Sequence, residues 1–232
     1  PSSSDINQVD TNLVNFNFEE HQDLYPKTNR EKIEANINAL KLLKDLDDSK
    51  RLATPEEQLV LAKYVGWGGL PDVFDERKEA YNEPRMTLRS LVSEAEYRSM
   101  RESVLTAYYT SPMIINEMYQ KLEDMGFTGG SVLDPAMGTG NFFSAMPSHL
   151  KENSTLHGVE LEGITGKIAK QLNQTANIQI KGFETTKFKP QQFDIVVGNV
   201  PFNNFTIEDN QFKKSYLIHD YFFKKSLDLV KD

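Results

Sequence analysis

Cysteine is absent from all 232 residues of this chain. That excludes disulfides and thiolate metal sites and makes a reducing, cytoplasmic setting the simplest expectation. The four histidines, at 21, 149, 157 and 219, show no spacing suited to a metal, and none is expected. No window approaches the ~18 consecutive apolar residues a membrane helix requires, and nothing resembles a signal peptide, so no membrane partner is expected. A cationic excess is also missing. The net charge is −8, with 20 acidic and 14 basic side chains in residues 1–105 and 14 and 12 in residues 106–232. Neither half is a strong attractor of phosphates, so a nucleic-acid partner would be held weakly by this chain alone. What remains is ordinary for a globular protein: 38% apolar and 26% charged residues, in a length that allows one large domain or two small ones. The first residue is Pro1, which suggests a piece of a longer polypeptide.

Residues 1–26 are polar and patternless apart from Phe16 and Phe18, and read as a loosely held lead-in. Residues 27–106 read as a helical domain. Ile33, Ile37, Leu40, Leu43 and Leu46 recur at helical steps between Arg30 and Leu46. Thr54-Pro55-Glu56-Glu57 has the composition of a helix start with a capping box, and that helix runs to about Tyr64. It is stopped by 66-GWGGLP-71, where Trp67 reads as a packing plug. Ser93 and Glu96 repeat the capping spacing before a helix to about Thr106, and Pro112 opens another through Leu122.

Strand-like runs appear only afterwards, at 131–134, 155–160, 177–182 and 193–198. Helical stretches lie between and after them: Asn141 to about Leu150, Gly163 to Leu172, and Tyr216 to Val230. Strand alternating with helix predicts βαβ units and a mostly parallel sheet over residues 107–232. Four strands are few for such a sheet, which suggests truncation after its last helix.

The sequence 131-SVLDPAMGTGNFF-143 sets an aspartate at a strand end and Gly138 and Gly140 before a helix. Ligands of open α/β sheets bind at the carboxyl ends of strands, where glycine lets backbone approach them. Neither G-x-G-x-x-G nor a P-loop lysine is present, so the loop is expected to cradle something other than a pyrophosphate. Glu160 ends the second strand, placed to accept both hydroxyls of a ribose. Phe183 and Glu184, after the third, could face an adenine ring and its amino group, though packing of the phenyl ring into the core is an equal alternative.

After the fourth strand comes 199-NVPF-202. An aromatic amine is a poor nucleophile because its lone pair is delocalised. The Asn199 amide oxygen and the Val200 carbonyl could accept its two N–H bonds and localise that pair, without a strong base. Pro201 restricts Val200 to extended backbone, and Phe202 offers a surface for stacking a planar base. His219-Asp220 lies on an amphipathic stretch and reads as structural. Lys213 and Lys214 read as a solvated pair that could touch phosphate.

Together these segments resemble the class I S-adenosylmethionine-dependent methyltransferases, in their amino-methylating DNA adenine branch. The family's D-x-x-x-G-x-G is met by 134-DPAMGTG-140, its acid after the second strand by Glu160, and its Asn-Pro-Pro-Tyr/Phe by 199-NVPF-202 with Val200 for one proline. Tyr109-Thr110-Ser111-Pro112 is similar to its Tyr-Thr-Pro segment. The front half, with its Gly-Trp-Gly-Gly-Leu-Pro loop, more faintly resembles the region before such domains in large methylase–helicase polypeptides of phages and conjugative elements.

The resemblance implies a Rossmann-like methyltransferase core preceded by an α-helical domain, with S-adenosylmethionine as cofactor. Asp134, Ala136, Gly138, Gly140 and Glu160 would hold the cofactor, Tyr109, Thr110 and Pro112 its methionine end, and Phe183 and Glu184 its adenine. Asn199, Val200, Pro201 and Phe202 would be catalytic, acting on N6 of a flipped or single-stranded adenine in DNA, with other domains of a parent polypeptide as partners. Alternatives are methylation of RNA or protein glutamine, or a non-catalytic module binding cofactor or DNA. No segment resembles a target-recognition domain.

Overall fold

The computed structural model describes residues 13–21, 24–104, 109–212 and 214–231. The first twelve residues of the expected lead-in, the expected boundary at 106–107 and Lys213 lie outside them. Five helices build the front: α1 (Asn29–Ser49), α2 (Pro55–Leu61), α3 (Asn82–Leu91), α4 (Glu94–Ser103) and α5 (Pro112–Asp124). Capping boxes open three of them. Thr28 with Glu31, Thr54 with Glu57 and Ser93 with Glu96 each exchange side-chain and backbone hydrogen bonds, satisfying amides that helix starts leave without partners. The buried face of α1 holds the five apolar residues whose spacing predicts it, with Asn36 and Ala39 between them.

The back half contains β1 (Ser131–Asp134), α6 (Asn141–Ser144), α7 (Ser148–Glu152), β2 (Thr155–Glu160), α8 (Gly163–Leu172), β3 (Asn177–Ile180) and β4 (Ile195–Val196). These strands form a parallel sheet in the order β3-β2-β1-β4, confirming the α/β expectation. A small antiparallel hairpin, β5 (Thr206–Ile207) and β6 (Tyr216–Leu217), precedes α9 (Ile218–Leu229). Beyond α9, Val230 bridges in parallel to Phe193, and Lys231 bonds the Asp194 carboxylate at 2.7 Å.

Several boundaries differ from those expected. The helix expected over 141–150 is two, because Pro147 lacks the amide that would continue the first. The last helix starts at Ile218, since Tyr216 and Leu217 pair with β5. The ends of β3 and β4 are shorter than their apolar runs.

Alternation along the strands sends side chains to both faces of the sheet. Val132 and Leu156 join a core shared with α1, α2 and α5, while Leu133 and Val159 meet Tyr221, Phe222 and Leu229 of α9. The helical front is therefore continuous with the sheet's own core. Buried amides reinforce the join: Gln58 on α2 donates to the Gln171 carbonyl on α8 at 2.7 Å, and Gln171 accepts from the Ala53 amide at 2.8 Å. Residues 13–21 depart from the loosely held lead-in expected of them. Phe16 and Phe18 are buried, and the Phe16 amide donates to the Leu172 carbonyl at 2.8 Å. Burial of the two aromatic rings and the Phe16 hydrogen bond offset the cost of ordering this short segment.

Candidate active site

Strand order reverses between β1 and β4, and at such a point the loops leaving adjacent strands diverge and open a crevice. Asp134 ends β1 on one side of it, and 197–199 leaves β4 on the other. The backbone after β1 turns sharply through Gly138 at φ 58° and Gly140 at φ 91°, left-handed angles that only glycine adopts freely. The Met137 amide donates to the Val159 carbonyl at 2.9 Å, pinning the loop to the end of β2.

Two carboxyl groups face this loop. Glu160 accepts from the Gly138 amide at 2.9 Å through one oxygen and from the Glu162 amide at 2.8 Å through the other. Burial pushes its carboxyl above the ordinary range, and those amides partly offset the rise. Each oxygen keeps a further lone pair for a ligand hydroxyl. Asp134 is 0% exposed, and burial pushes it up to about 8. Its Oδ1 accepts from the Ala136 amide at 3.2 Å, whereas Oδ2 has no partner among the described residues. Gly198 allows β4 to pass this carboxyl, since a Cβ there would lie 2.6 Å from Oδ1.

Tyr109 links the front half to the glycine loop. Its ring sits between Gly66 and Gly138, and a Cβ added to either would come within 2.9 Å and 2.7 Å of ring carbons respectively. Burial raises its hydroxyl pKa. The Thr110 carbonyl accepts from Asn141 at 3.2 Å, and Pro112 occupies the first turn of α5.

Tyr109, Thr110, Ala136, Gly138, Glu160 and Asn199 all line one cleft of about 310 Å³. A second cavity of about 460 Å³ adjoins it, sharing Ala136, Glu160 and Leu161. Glu184, Pro201 and Phe205 line that second space. Phe183 also borders it, but the ring is only 2% exposed and packs 5.0 Å from Phe222, as the core-packing alternative expects. Gly140 caps α6 from within the loop rather than lining either space. In the 199–202 loop, Asn199 is exposed, Val200 packs against the α9 side of the core, and Phe202 is 66% exposed. The Phe202 ring stacks on His219, with centroids 5.4 Å apart.

Several lining residues escaped sequence reasoning. Tyr64, Gly66, Ser99, Glu102 and Ser103 bring the front half into the first cleft. Only the glycine-rich loop around Gly66 left a local trace. Leu161, directly after the strand-end acid, is 76% exposed and lines both spaces. Trp67 is the buried plug its glycine neighbours suggested, edge-on to Phe74. Lys214 lies 5.0 Å from the Tyr216 ring.

A glycine loop after β1, an acid after β2 and Asn-x-Pro-Phe after β4, on this strand order, define an adenine DNA methyltransferase-like domain. The chain belongs to the N-6 DNA methylase family, whose sequence profile matches residues 95–227. It is similar to the "Defense against restriction protein B" of Escherichia phage P1, 27% identical over 203 residues. That match takes in 85% of this chain, which spans about 7% of the phage protein's length. Among solved structures it is similar to the methyltransferase subunit of a type I restriction-modification system from Streptococcus thermophilus. There the identity is 13% and the TM-score 0.45, over 84% of this chain and 53% of the other.

Proposed function

We propose that this domain methylates the exocyclic N6 amine of adenine in DNA, using S-adenosylmethionine, as one part of a larger polypeptide. The observation carrying this reading is that Asn199 lines the same cleft as Gly138 and Glu160. An amide suited to gripping an NH2 group thus shares a space with a glycine loop suited to a nucleoside. The residues fit the donor: two left-handed glycines shape the loop, Glu160 retains lone pairs for ribose hydroxyls, and Asp134 holds a buried oxygen with no described partner. The second cavity, beyond Glu160, has the aromatic and acidic lining an adenine requires.

When bound, S-adenosylmethionine supplies an electrophilic methyl group. The Asn199 oxygen and the Val200 carbonyl accept from the two N–H bonds of the target amine, drawing its nitrogen toward tetrahedral geometry. Pro201 keeps Val200 extended, so that its carbonyl holds one direction. Forming the C–N bond would break the methyl C–S bond of the donor, whose sulfur would keep the electron pair as a neutral thioether, and the surplus proton on nitrogen would depart to solvent as the lone pair returns to the ring. An adenine inside a duplex cannot reach this loop, so the base enters flipped or from single strand. The description of the phage relative as a defence against restriction makes protection of DNA the first biological role to examine.

A non-catalytic binding module is the second reading, favoured by Val200 in the loop and by the net charge of −8. Methyl transfer from tritiated donor to adenine-containing DNA, RNA and glutamine peptides separates the readings. Label is expected in DNA, recovered as N6-methyladenine after digestion. Asn199→Ala should lower the rate about 10²–10³-fold, in keeping with loss of one preorganised polar contact. Donor affinity by calorimetry should change less than about twofold. Donor binding without label in any substrate would establish the module instead.

A further inference from the structure

The chain between β4 and β5 contains no helix or strand, and it carries both Asn199 and Phe202. His219 stands on firmer ground, as the second residue of α9. The start of that helix is fixed by three contacts. Leu217 pairs with Thr206, the Ile218 amide donates to the Phe205 carbonyl at 3.1 Å, and the Ile218 side chain is buried in the core. From there the imidazole meets the Phe202 ring, with planes 22° from parallel. Hydrogen bonding does not account for this placement. His219 Nδ1 is buried with no partner among the described residues, and Nε2 lies 3.7 Å from the Asp220 carboxylate, beyond hydrogen-bond length. Core formation does not account for it either, because two-thirds of Phe202 stays exposed. What the stack does fix is the direction of a ring with open surface left for a second ring.

We propose that His219 is a positioning residue for the target base, setting the Phe202 ring so that an adenine stacks on it within reach of Asn199. The inference rests on the proposed methylation of adenine. It gives a part in substrate binding to a histidine that the sequence pattern alone assigns to structure. His219 acts through Phe202 and not on the reacting atoms. A ring already held in place loses little freedom when a base lands on it. The stack therefore raises both the affinity for the base and the share of bound adenines presented in line with the methyl group.

A double-mutant cycle tests this, read by fluorescence anisotropy on adenine-rich single strands at low ionic strength. His219→Leu should weaken DNA affinity about fivefold when Phe202 is present, and less than about twofold in the Phe202→Ala background. His219→Phe, which keeps a ring in place, should restore affinity to within about twofold of wild type. Donor affinity by calorimetry should change less than about twofold in each variant. An equal loss in both backgrounds, as a general folding defect would give, would overturn the positioning role and leave the methyltransferase reading standing. So would unaltered affinity in His219→Leu, or failure of His219→Phe to restore it. Wild-type protein that neither binds these strands nor transfers label to them would overturn both.

Discussion

A carboxyl group removed from water, with one oxygen bonded to the Ala136 amide and the other unmatched, is costly to ionise. Burial lifts Asp134 to about 8 in the folded chain, against an ordinary value near 3.8. For an acid raised in this way, the stability it contributes is complete below about pH 4. It is lost as pH climbs through about 8, because the folded state holds the proton longer than the unfolded chain. Asp134→Asn keeps the shape and removes the titration. Its melting temperature relative to wild type should therefore rise steadily between about pH 4 and pH 8, while donor binding falls. A difference that stays flat across that interval would rule out Asp134 as the titrating group. Phe202 has the opposite character, being exposed and stacked on His219. Phe202→Ala should cost about 1–3 kcal/mol in affinity for adenine-rich single strands, read by fluorescence anisotropy, with thermal unfolding little changed. Unaltered anisotropy would remove its stacking role.

Among the elements, α2 is short enough for its first turn to matter. The Thr54 hydroxyl accepts from the Glu57 amide at 3.3 Å, Glu57 answers with a bond to the Thr54 amide at 2.9 Å, and Arg51 grips both Glu57 oxygens at 2.6 Å. Hydrogen bonding from Arg51 holds the Glu57 carboxyl down at about 2. An acid lowered from 4.5 stabilises the fold above that value and ceases to do so as pH drops toward about 2. Thr54→Ala should cost about 0.5–2 kcal/mol in urea denaturation at neutral pH, and a loss near zero would show that the tertiary contacts of α2 suffice alone. Elements carrying such local cues were legible from sequence: β2 over 155–160 and α8 over 163–172 have the bounds their patterns predict. Helix α3 was not, because its inward residues are Leu88 and an arginine, which leave no apolar period. Arg85 is buried, donating to the Val73 carbonyl at 2.8 Å and to Asn82. The two-residue strands of the β5–β6 hairpin are too brief for alternation to show.

Across the whole molecule, the shared core and the Gln58–Gln171 contact predict that front and back unfold together. Trp67, the single tryptophan, is buried in the front half and reports that half alone by fluorescence. Its denaturation curve should coincide with that from circular dichroism, and two separated transitions would show independent domains. Gln58→Ala removes the side-chain donor to the Val14 carbonyl and one of two side-chain donors to the Gln171 carbonyl, and should lower stability by about 1–3 kcal/mol in the same experiment. The same continuity explains what sequence concealed about the site. Asp134, Gly138 and Glu160 follow strand ends in a recognisable order, whereas Ser99 and Glu102 reach the cleft through packing between distant segments. The position of Tyr109 has a last consequence. A phenol filed into a slot cut by Gly66 on one side and Gly138 on the other works as a key held by two locks. A different helical front grafted ahead of residue 109 would need its own notch opposite that ring, or the glycine loop beneath would lose its shape.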